Sequence, residues 1–231
     1  MPIHTFFDIS AWAMGALVGM LVARRWQVGR AFRFAERPWY FAAAAMGALV
    51  GAVLLGSANT LLAGMGEGKS VLGGLLGGIV GVETYKLATG LRGSTGIGFV
   101  APMATGIAVG RVGCLLAGLA DFTYGVPTAL PWGWDFGDGV PRHPVQAYES
   151  LAMLVFLLWF LRGLAAGRAT VRRHGFALFV LWYGGQRFAW EFLKPYPTVA
   201  GPFNVFHFGC LALIAYGLGA ILLREKNHAP A

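Results

Sequence analysis

The sequence predicts an all-α polytopic membrane protein with seven transmembrane helices, its N-terminus outside and its C-terminus in the cytoplasm. Of the 231 residues, 57% are hydrophobic and 12% are charged, which is about half the charged share of a soluble domain. Apolar runs of about 20 residues recur along the chain, and each is long enough to cross a hydrocarbon core. A transmembrane β-barrel is excluded, because its strands would alternate polar and apolar residues over about ten positions.

Seven apolar runs define the predicted helices. They cover residues 6–23, 38–56, 69–90, 97–118, 144–162, 175–193 and 204–223. The first run has no basic region before it and no small-residue cleavage site after it, so we expect a retained helix rather than a signal peptide. Together the runs predict a single integral membrane domain, 1–231, with a periplasmic loop region at 119–143.

Basic residues decide the predicted orientation. Most of the 18 lysines and arginines follow the first, third, fifth and seventh runs, whereas the opposite side has only Lys69, Arg142 and Lys194. Because basic connections stay in the cytoplasm, this split predicts an outside N-terminus and supports the count of seven. The net charge of +8 therefore reflects membrane topology rather than a nucleic-acid partner.

Among the ionisable side chains within or at the ends of the apolar runs, four stand out as candidates: Arg111, Glu149, Arg187 and Glu191. Placing one such group in a bilayer costs at least about 2.5–3.5 kcal/mol, so these groups usually have partners. Arg111 has no acid within four residues, so its partner must come from another helix or from a ligand. Tyr183, Arg187 and Glu191 are spaced four apart and share a helix face, where Arg187 and Glu191 either neutralise each other or join a site.

The segment RHPVQAYE concentrates polar residues at the start of the fifth run. Pro144 fits the first turn of a helix, and Gln146 and Glu149 are three apart and share a face. These residues either cap and anchor the helix or join a site with Arg111 and Arg187. Two guanidinium groups suit a phosphate, such as that of a phospholipid headgroup.

The two cysteines, Cys114 and Cys210, both lie in apolar runs without metal-ligand spacing. We expect both to be buried and inert. The sequence shows no metal site and no cofactor motif.

Glycines recur at helical spacing in the third run, where Gly73, Gly77 and Gly81 are four apart. Small residues at this spacing let helix backbones approach closely. Packing is the favoured interpretation, and room for a lipid chain is the alternative.

Four motifs, in the order GRVGC, YGVPTALPWG, RHPVQAYE and YGGQRFAWEF, resemble those of the prolipoprotein diacylglyceryl transferases of bacterial inner membranes. The resemblance runs from about residue 69 to 193. It implies a seven-helix enzyme of the inner membrane with an outside N-terminus. Such an enzyme moves the diacylglyceryl group from phosphatidylglycerol to the lipobox cysteine thiol of a prolipoprotein and releases glycerol phosphate.

The resemblance also implies roles for individual residues. The predicted catalytic residues are Arg111, Arg187, Glu191 and His143. The predicted substrate-binding residues are Tyr183, Gly125, Gln146, Tyr148, Glu149, Gly73 and Gly74. The two arginines would stabilise the negative charge of the departing phosphate, with Glu191 holding Arg187 in place.

The sequence departs from the family's pattern at several places. The family's early tyrosine has no clear match in TFFDIS, and the chain is short for the family. Two further departures remove polar residues. Leu72 stands where the family has a histidine, and Cys114 begins the stretch CLLAGL where the family has NFINGE. The arginines expected to bind the donor are kept, whereas polar residues expected near the acceptor are lost. His143, Asp121 and Glu149 are the remaining candidates for the base that deprotonates the acceptor thiol.

Two alternatives to a prolipoprotein transferase follow from these departures. One is a related phospholipid-dependent transferase with a different acceptor, and the other is a non-catalytic lipid-binding membrane protein. A transporter is disfavoured, because the sequence has no internal repeat and no paired broken helices.

Overall fold

The computed structural model describes residues 2–29 and 37–226 and has seven α-helices within these ranges. They are α1 (Pro2–Trp26), α2 (Pro38–Leu62), α3 (Val71–Thr89), α4 (Ile97–Ala117), α5 (Val145–Ala165), α6 (Ala169–Glu191) and α7 (Val205–Lys226). Each helix overlaps one predicted run. Between the helices, the described residues also form a short 3-10 turn (Gly118–Asp121) and two small β-hairpins.

Six of the described helices, α1 to α5 and α7, are long and apolar enough to cross a membrane by length and composition. Large apolar side chains on them are exposed, with Trp12 at 82% and Leu87 at 84%, as lipid-facing residues are. The chain is therefore a polytopic membrane protein. The count of seven spans and the orientation stay predictions, and Arg30 and Arg33, on which the orientation partly depends, lie outside the described residues.

One compact unit comprises Met1–Val28 and Gly96–Pro195, which contain α1, α4, α5 and α6. Within it α4 packs against all three other helices. Close approach of α1 to α4 depends on glycine, because a Cβ at Gly19 would lie 2.6 Å from Cγ of Pro102. This packing places side chains of α4 within reach of both α5 and α6.

The loop between α4 and α5 contains a hairpin in which β1 (Trp134–Asp135) pairs antiparallel with β2 (Pro141–Arg142). Asp135 accepts hydrogen bonds from three backbone N–H groups of the turn, at 2.8–3.2 Å. Arg142 binds the Asp138 carboxylate at 2.7 Å, and this hydrogen bonding lowers the pKa of Asp138. The loop that lacked a helical pattern is thus locally ordered just before α5.

The second compact unit comprises Gly29–Thr95 and Tyr196–Ala231, and its described helices are α2, α3 and α7. A hairpin of β3 (Thr198–Ala200) and β4 (Phe203–Asn204) precedes α7. The glycines of α3 face α2, and a Cβ at Gly73, Gly77 or Gly81 would overlap backbone atoms of α2. Packing therefore accounts for the glycine spacing seen in the sequence.

Gly73→Ala and Gly74→Ala form a matched pair that tests this packing. A Cβ at Gly73 would overlap the Gly51 carbonyl and lie 2.8 Å from Cβ of Leu55, whereas the nearest atoms to a Cβ at Gly74 are 3.6 Å away. We expect Gly73→Ala to lower the free energy of unfolding by about 1–3 kcal/mol, as overpacking does, and Gly74→Ala to leave it near the wild-type value. Thermal unfolding in detergent measures both, and equal stability of the two variants would contradict the packing interpretation.

Candidate active site

Glu149 on α5 forms ion pairs with three cationic side chains of the first unit. Its Oε1 accepts a hydrogen bond from Nη1 of Arg187 on α6 and lies 2.9 Å from Nζ of Lys194, just beyond α6. Its Oε2 forms an ion pair with Nε of Arg111 on α4. The Glu149 carboxylate is fully buried, so a single anion on α5 joins α4 to the C-terminal end of α6.

Glu191 supplies the second carboxylate of this group. Its Oε1 lies 2.7 Å from Nη2 of Arg187 and 3.9 Å from Nζ of Lys194. We call the five side chains the charged cluster: Arg111, Glu149, Arg187, Glu191 and Lys194, none more than 6% exposed. Three cations face two carboxylates, so the charged cluster carries one net positive charge that an anionic ligand would balance.

The partner of Arg111 confirms one prediction and resolves an alternative. Arg111 takes its carboxylate from another helix, as expected from the absence of a nearby acid in its own run. Arg187 and Glu191 do form the pair that their spacing allows. Arg187 also binds Glu149, however, so the pair is part of a larger network rather than an isolated neutralisation.

Lys194 is a member of the charged cluster that sequence reasoning missed, because hydropathy places it in a connection after the sixth run. Its spacing of three from Glu191 is the signal that could have found it. Burial, reinforced by Arg187 and opposed by Glu149 and Glu191, lowers the pKa of Lys194 to about 8. Lys194 is therefore charged at neutral pH and loses this charge as the pH rises above about 8.

Two predicted substrate-binding residues lie beside the charged cluster in sequence and are fully buried. Gln146 shares the face of Glu149, and neither polar atom of its amide has a hydrogen-bond partner among the described residues. A buried amide without partners costs stability unless a ligand satisfies it. Tyr183 lies one turn before Arg187 and stacks on Phe179 with ring centroids 6.3 Å apart.

His143 and Tyr148 contact each other rather than the charged cluster within the described part of the chain. Nδ1 of His143 is 3.4 Å from the Tyr148 hydroxyl, which also accepts a hydrogen bond of 2.8 Å from Trp132. Gly125 donates its N–H to the His143 carbonyl at 3.0 Å, and a Cβ there would lie 2.5 Å from that oxygen. Close backbone packing therefore accounts for Gly125, and the functional roles of all three residues stay predictions.

Nearly the whole chain matches one protein family. The model of the prolipoprotein diacylglyceryl transferase family matches residues 3–223.

The chain belongs to the prolipoprotein diacylglyceryl transferase family.

Individual members of the family are similar to this chain at about one third identity. The phosphatidylglycerol–prolipoprotein diacylglyceryl transferase of Methylococcus capsulatus is 35% identical over 164 residues, which are 65% of this chain and 59% of the relative. The protein of the same name in Nitratidesulfovibrio vulgaris is 33% identical over 173 residues, 70% of this chain and 62% of the relative. The chain thus covers less than two thirds of the length of these curated relatives. None of the solved structures matches it.

Gly73, Gly74 and Leu72 belong to the second unit. The two glycines face α2 in the packing described above, and the role in substrate binding implied by the prolipoprotein diacylglyceryl transferase family stays a prediction. Leu72, which stands in place of the family's histidine, is fully buried in α3. An aliphatic side chain cannot take a proton from a thiol, so any such base in this chain is another residue.

Cys114 is less buried than expected for both cysteines, and the inertness of the two thiols stays a prediction. Cys210 is fully buried, but Cys114 is only partly buried, and its Sγ lies 3.9 Å from Nε2 of His4 and 3.8 Å from Nη1 of Arg111. Nε2 of His4 is in turn 3.0 Å from Oδ1 of Asp121. Sequence spacing showed no metal site, whereas the structure groups three residues of ligand type, His4, Cys114 and Asp121, which we call the thiol cluster.

Proposed function

We propose that this chain transfers the diacylglyceryl group of phosphatidylglycerol to the cysteine thiol of a prolipoprotein and releases glycerol phosphate. The observation that carries the proposal is the charged cluster, whose net positive charge is buried in a member of the prolipoprotein diacylglyceryl transferase family. The names of the relatives state this donor and this acceptor for those proteins.

The donor phosphate is assigned to Arg111 and Arg187. A guanidinium has five N–H donors in a planar fork, a geometry that suits the oxygens of a phosphate. In a site with little water, a donor held in place in this way can contribute about 2.7–4 kcal/mol to stabilising a developing negative charge. Glu149 and Glu191 hold the two guanidinium groups in position.

The reaction that fits these groups is a displacement at a glyceryl carbon. The acceptor sulfur, as thiolate, forms a bond to the carbon that carries the phosphate ester. The carbon–oxygen bond breaks, and its electron pair leaves with glycerol phosphate. Arg111 and Arg187 stabilise the negative charge that grows on the departing phosphate. The buried amide of Gln146 is placed to hydrogen-bond the lipid, since it has no partner among the described residues.

The same proposal includes seven membrane spans in one integral domain of the bacterial inner membrane, with the N-terminus outside. With α6 the number of proposed spans is seven. α6 is not among the six strongly apolar helices, because it contains more polar and charged residues than they do. Pairing of Arg187 and Glu191 within the first unit lowers the cost of burying them in a bilayer. The basic residues after alternate runs support the orientation.

A second candidate keeps the phospholipid donor and changes the acceptor. Two observations favour it: the buried Leu72 in place of the family's histidine, and Cys114 at the start of a stretch that lacks the family's polar residues. Both departures concern the acceptor rather than the charged cluster.

A transfer assay tests both candidates. Full-length protein is purified and incubated with radiolabelled phosphatidylglycerol and a lipobox peptide, beside the same peptide with Cys→Ser and a reaction without peptide. We expect label on the cysteine peptide alone, together with released glycerol phosphate. Release without labelled peptide would favour a different acceptor. Absence of release while the lipid stays bound would overturn the transferase proposal and favour a non-catalytic lipid-binding protein.

A further inference from the structure

The thiol cluster brings together three potential metal ligands from distant parts of the first unit. His4 comes from α1, Cys114 from α4 and Asp121 from the 3-10 turn that follows α4. Nε2 of His4 lies 3.0 Å from Oδ1 of Asp121 and 3.9 Å from Sγ of Cys114. All three ligand atoms lie within 4.8 Å of one another.

Neighbouring side chains fix the orientation of two of these ligands. Nδ1 of His4 is 2.9 Å from the Asp8 carboxylate, so the ring presents its Nε2 to Cys114 and Asp121. The hydroxyl of Thr123 donates to the second oxygen of Asp121. Histidines that bind metals almost always donate their other ring N–H to a carboxylate, carbonyl or water, and ligating carboxylates are themselves hydrogen-bonded.

We propose that His4, Cys114 and Asp121 bind a divalent zinc ion. A tetrahedral zinc site holds nitrogen and oxygen ligands about 3.4 Å apart and nitrogen and sulfur ligands about 3.6 Å apart, from its usual bond lengths. The observed 3.0 and 3.9 Å need shifts of only a few tenths of an ångström. A mixed nitrogen, sulfur and oxygen donor set suits zinc rather than magnesium or calcium. One thiolate and one carboxylate neutralise the charge of the ion.

Three protein ligands leave a fourth position of the tetrahedron for water or substrate, as in catalytic rather than structural zinc sites. The side chain of His4 is 37% exposed and that of Asp121 is 14% exposed, so the ligands are accessible from outside the unit. Nη1 of Arg111 lies 3.8 Å from Cys114 Sγ. One ligand of the proposed ion therefore lies beside an arginine that we assign to the donor phosphate.

The closeness of Cys114 to Arg111 gives the ion a role, which rests on the proposed function: the ion binds the acceptor thiol as a thiolate. The thiol displaces a metal-bound hydroxide, which leaves as water and carries away the thiol proton. The thiolate sulfur then forms its bond to the glyceryl carbon, while the electron pair of the carbon–oxygen bond leaves with glycerol phosphate. No side chain has to act as base, which accounts for Leu72 in place of the family's histidine.

A proton relay through Asp8, His4 and Asp121 is the competing explanation of the same contacts. It uses the hydrogen bonds of His4 but gives no role to Cys114, whose sulfur completes the set of ligand atoms. A metal site uses His4, Cys114 and Asp121. A role for the Cys114 sulfur is therefore expected for the metal site and not for the proton relay.

Binding of cobalt tests the site without reference to activity. Full-length protein purified without a histidine tag is treated with chelator and titrated with Co²⁺, whose thiolate charge-transfer and d–d bands report sulfur ligation and tetrahedral geometry. We expect one Co²⁺ per chain with both features, displaced by Zn²⁺. Cys114→Ala should lose the charge-transfer band, whereas Cys210→Ser, at the buried cysteine of α7, should keep it. Asp8→Asn should keep the band but bind the metal about 10–100-fold more weakly.

Several results would overturn the proposal: no Co²⁺ bound to the wild-type protein, binding without the thiolate band, or the same band in Cys114→Ala. Transfer that is insensitive to chelator but lost in His4→Ala would favour the proton relay instead. The two proposals fail separately. Cobalt bound with the thiolate band and no transfer to any peptide would leave the metal site standing and remove the transferase. Transfer by protein that binds no metal would support the transferase and rule out the metal site.

Discussion

Glu149→Gln is expected to lower the free energy of unfolding by about 3–5 kcal/mol, the range found when one partner of a buried ion pair is removed. The substitution keeps the shape of the side chain but leaves Arg111, Arg187 and Lys194 to share only Glu191, which contacts two of them. The net charge of the buried cluster would then rise from one positive charge to two. Thermal unfolding of detergent-purified protein measures the effect.

The exposed Glu67 provides the matched control, because Glu67→Gln removes the same charge where water screens it. We expect this variant to unfold at the wild-type temperature. Equal stability of Glu149→Gln and Glu67→Gln would show that Glu149 does not hold the three cations together.

Arg187→Ala is expected to lower kcat in the transfer assay by about 10²–10³-fold, the loss typical of removing one preset donor to a developing negative charge. The variant should still fold, because Glu149 keeps Arg111 and Lys194, and Glu191 keeps Lys194. The charged cluster then has no net charge, so its attraction for phosphate falls. Both carboxylates keep a cationic partner. Arg111→Ala should behave in the same way.

The kinetic comparison needs an arginine outside the charged cluster and a measure of folding. Arg92 is exposed, and Arg92→Ala should leave kcat unchanged. Arg187→Lys keeps the charge but not the planar fork and should lie between wild type and Arg187→Ala. A folded and fully active Arg187→Ala would show that the assignment of Arg187 to the donor phosphate is wrong, and Arg187→Lys keeps this test available if Arg187→Ala unfolds.

Hydropathy predicted the helices well and their ends less well, for a physical reason. α1 continues to Trp26, three residues past the predicted end, because Arg24 and Arg25 fit the last turn of a helix, where cations interact favourably with the backbone dipole. α6 begins at Ala169 rather than at 175, since Arg172 and Arg173 are good helix formers although they are not apolar. Hydropathy identifies the residues that lipid can surround, and the helices extend beyond these residues.

The pairing of Arg187 with Glu191 within α6 could be predicted from the sequence. The ion pairs that join different helices could not. Spacing placed Arg187 and Glu191 on one face, and the lack of an acid near Arg111 required a distant partner, but only the packing of α4 on α5 identifies Glu149. The thiol cluster lay beyond sequence reasoning, since His4 and Cys114 are 110 positions apart. A histidine that precedes the first apolar run and a cysteine within the fourth run give no local pattern.

The shared carboxylate of Glu149 has a consequence for how such sequences diverge. Because three cations depend on one anion, the effects of substitutions among these residues are not additive, and each tolerated change depends on the residues already present. Lysine and arginine can exchange at position 194 in one step with the charge kept. Glu149 itself can be lost only together with a cation or after an acid has arisen elsewhere nearby. Relatives that have drifted to one third identity are therefore expected to change these positions in concert.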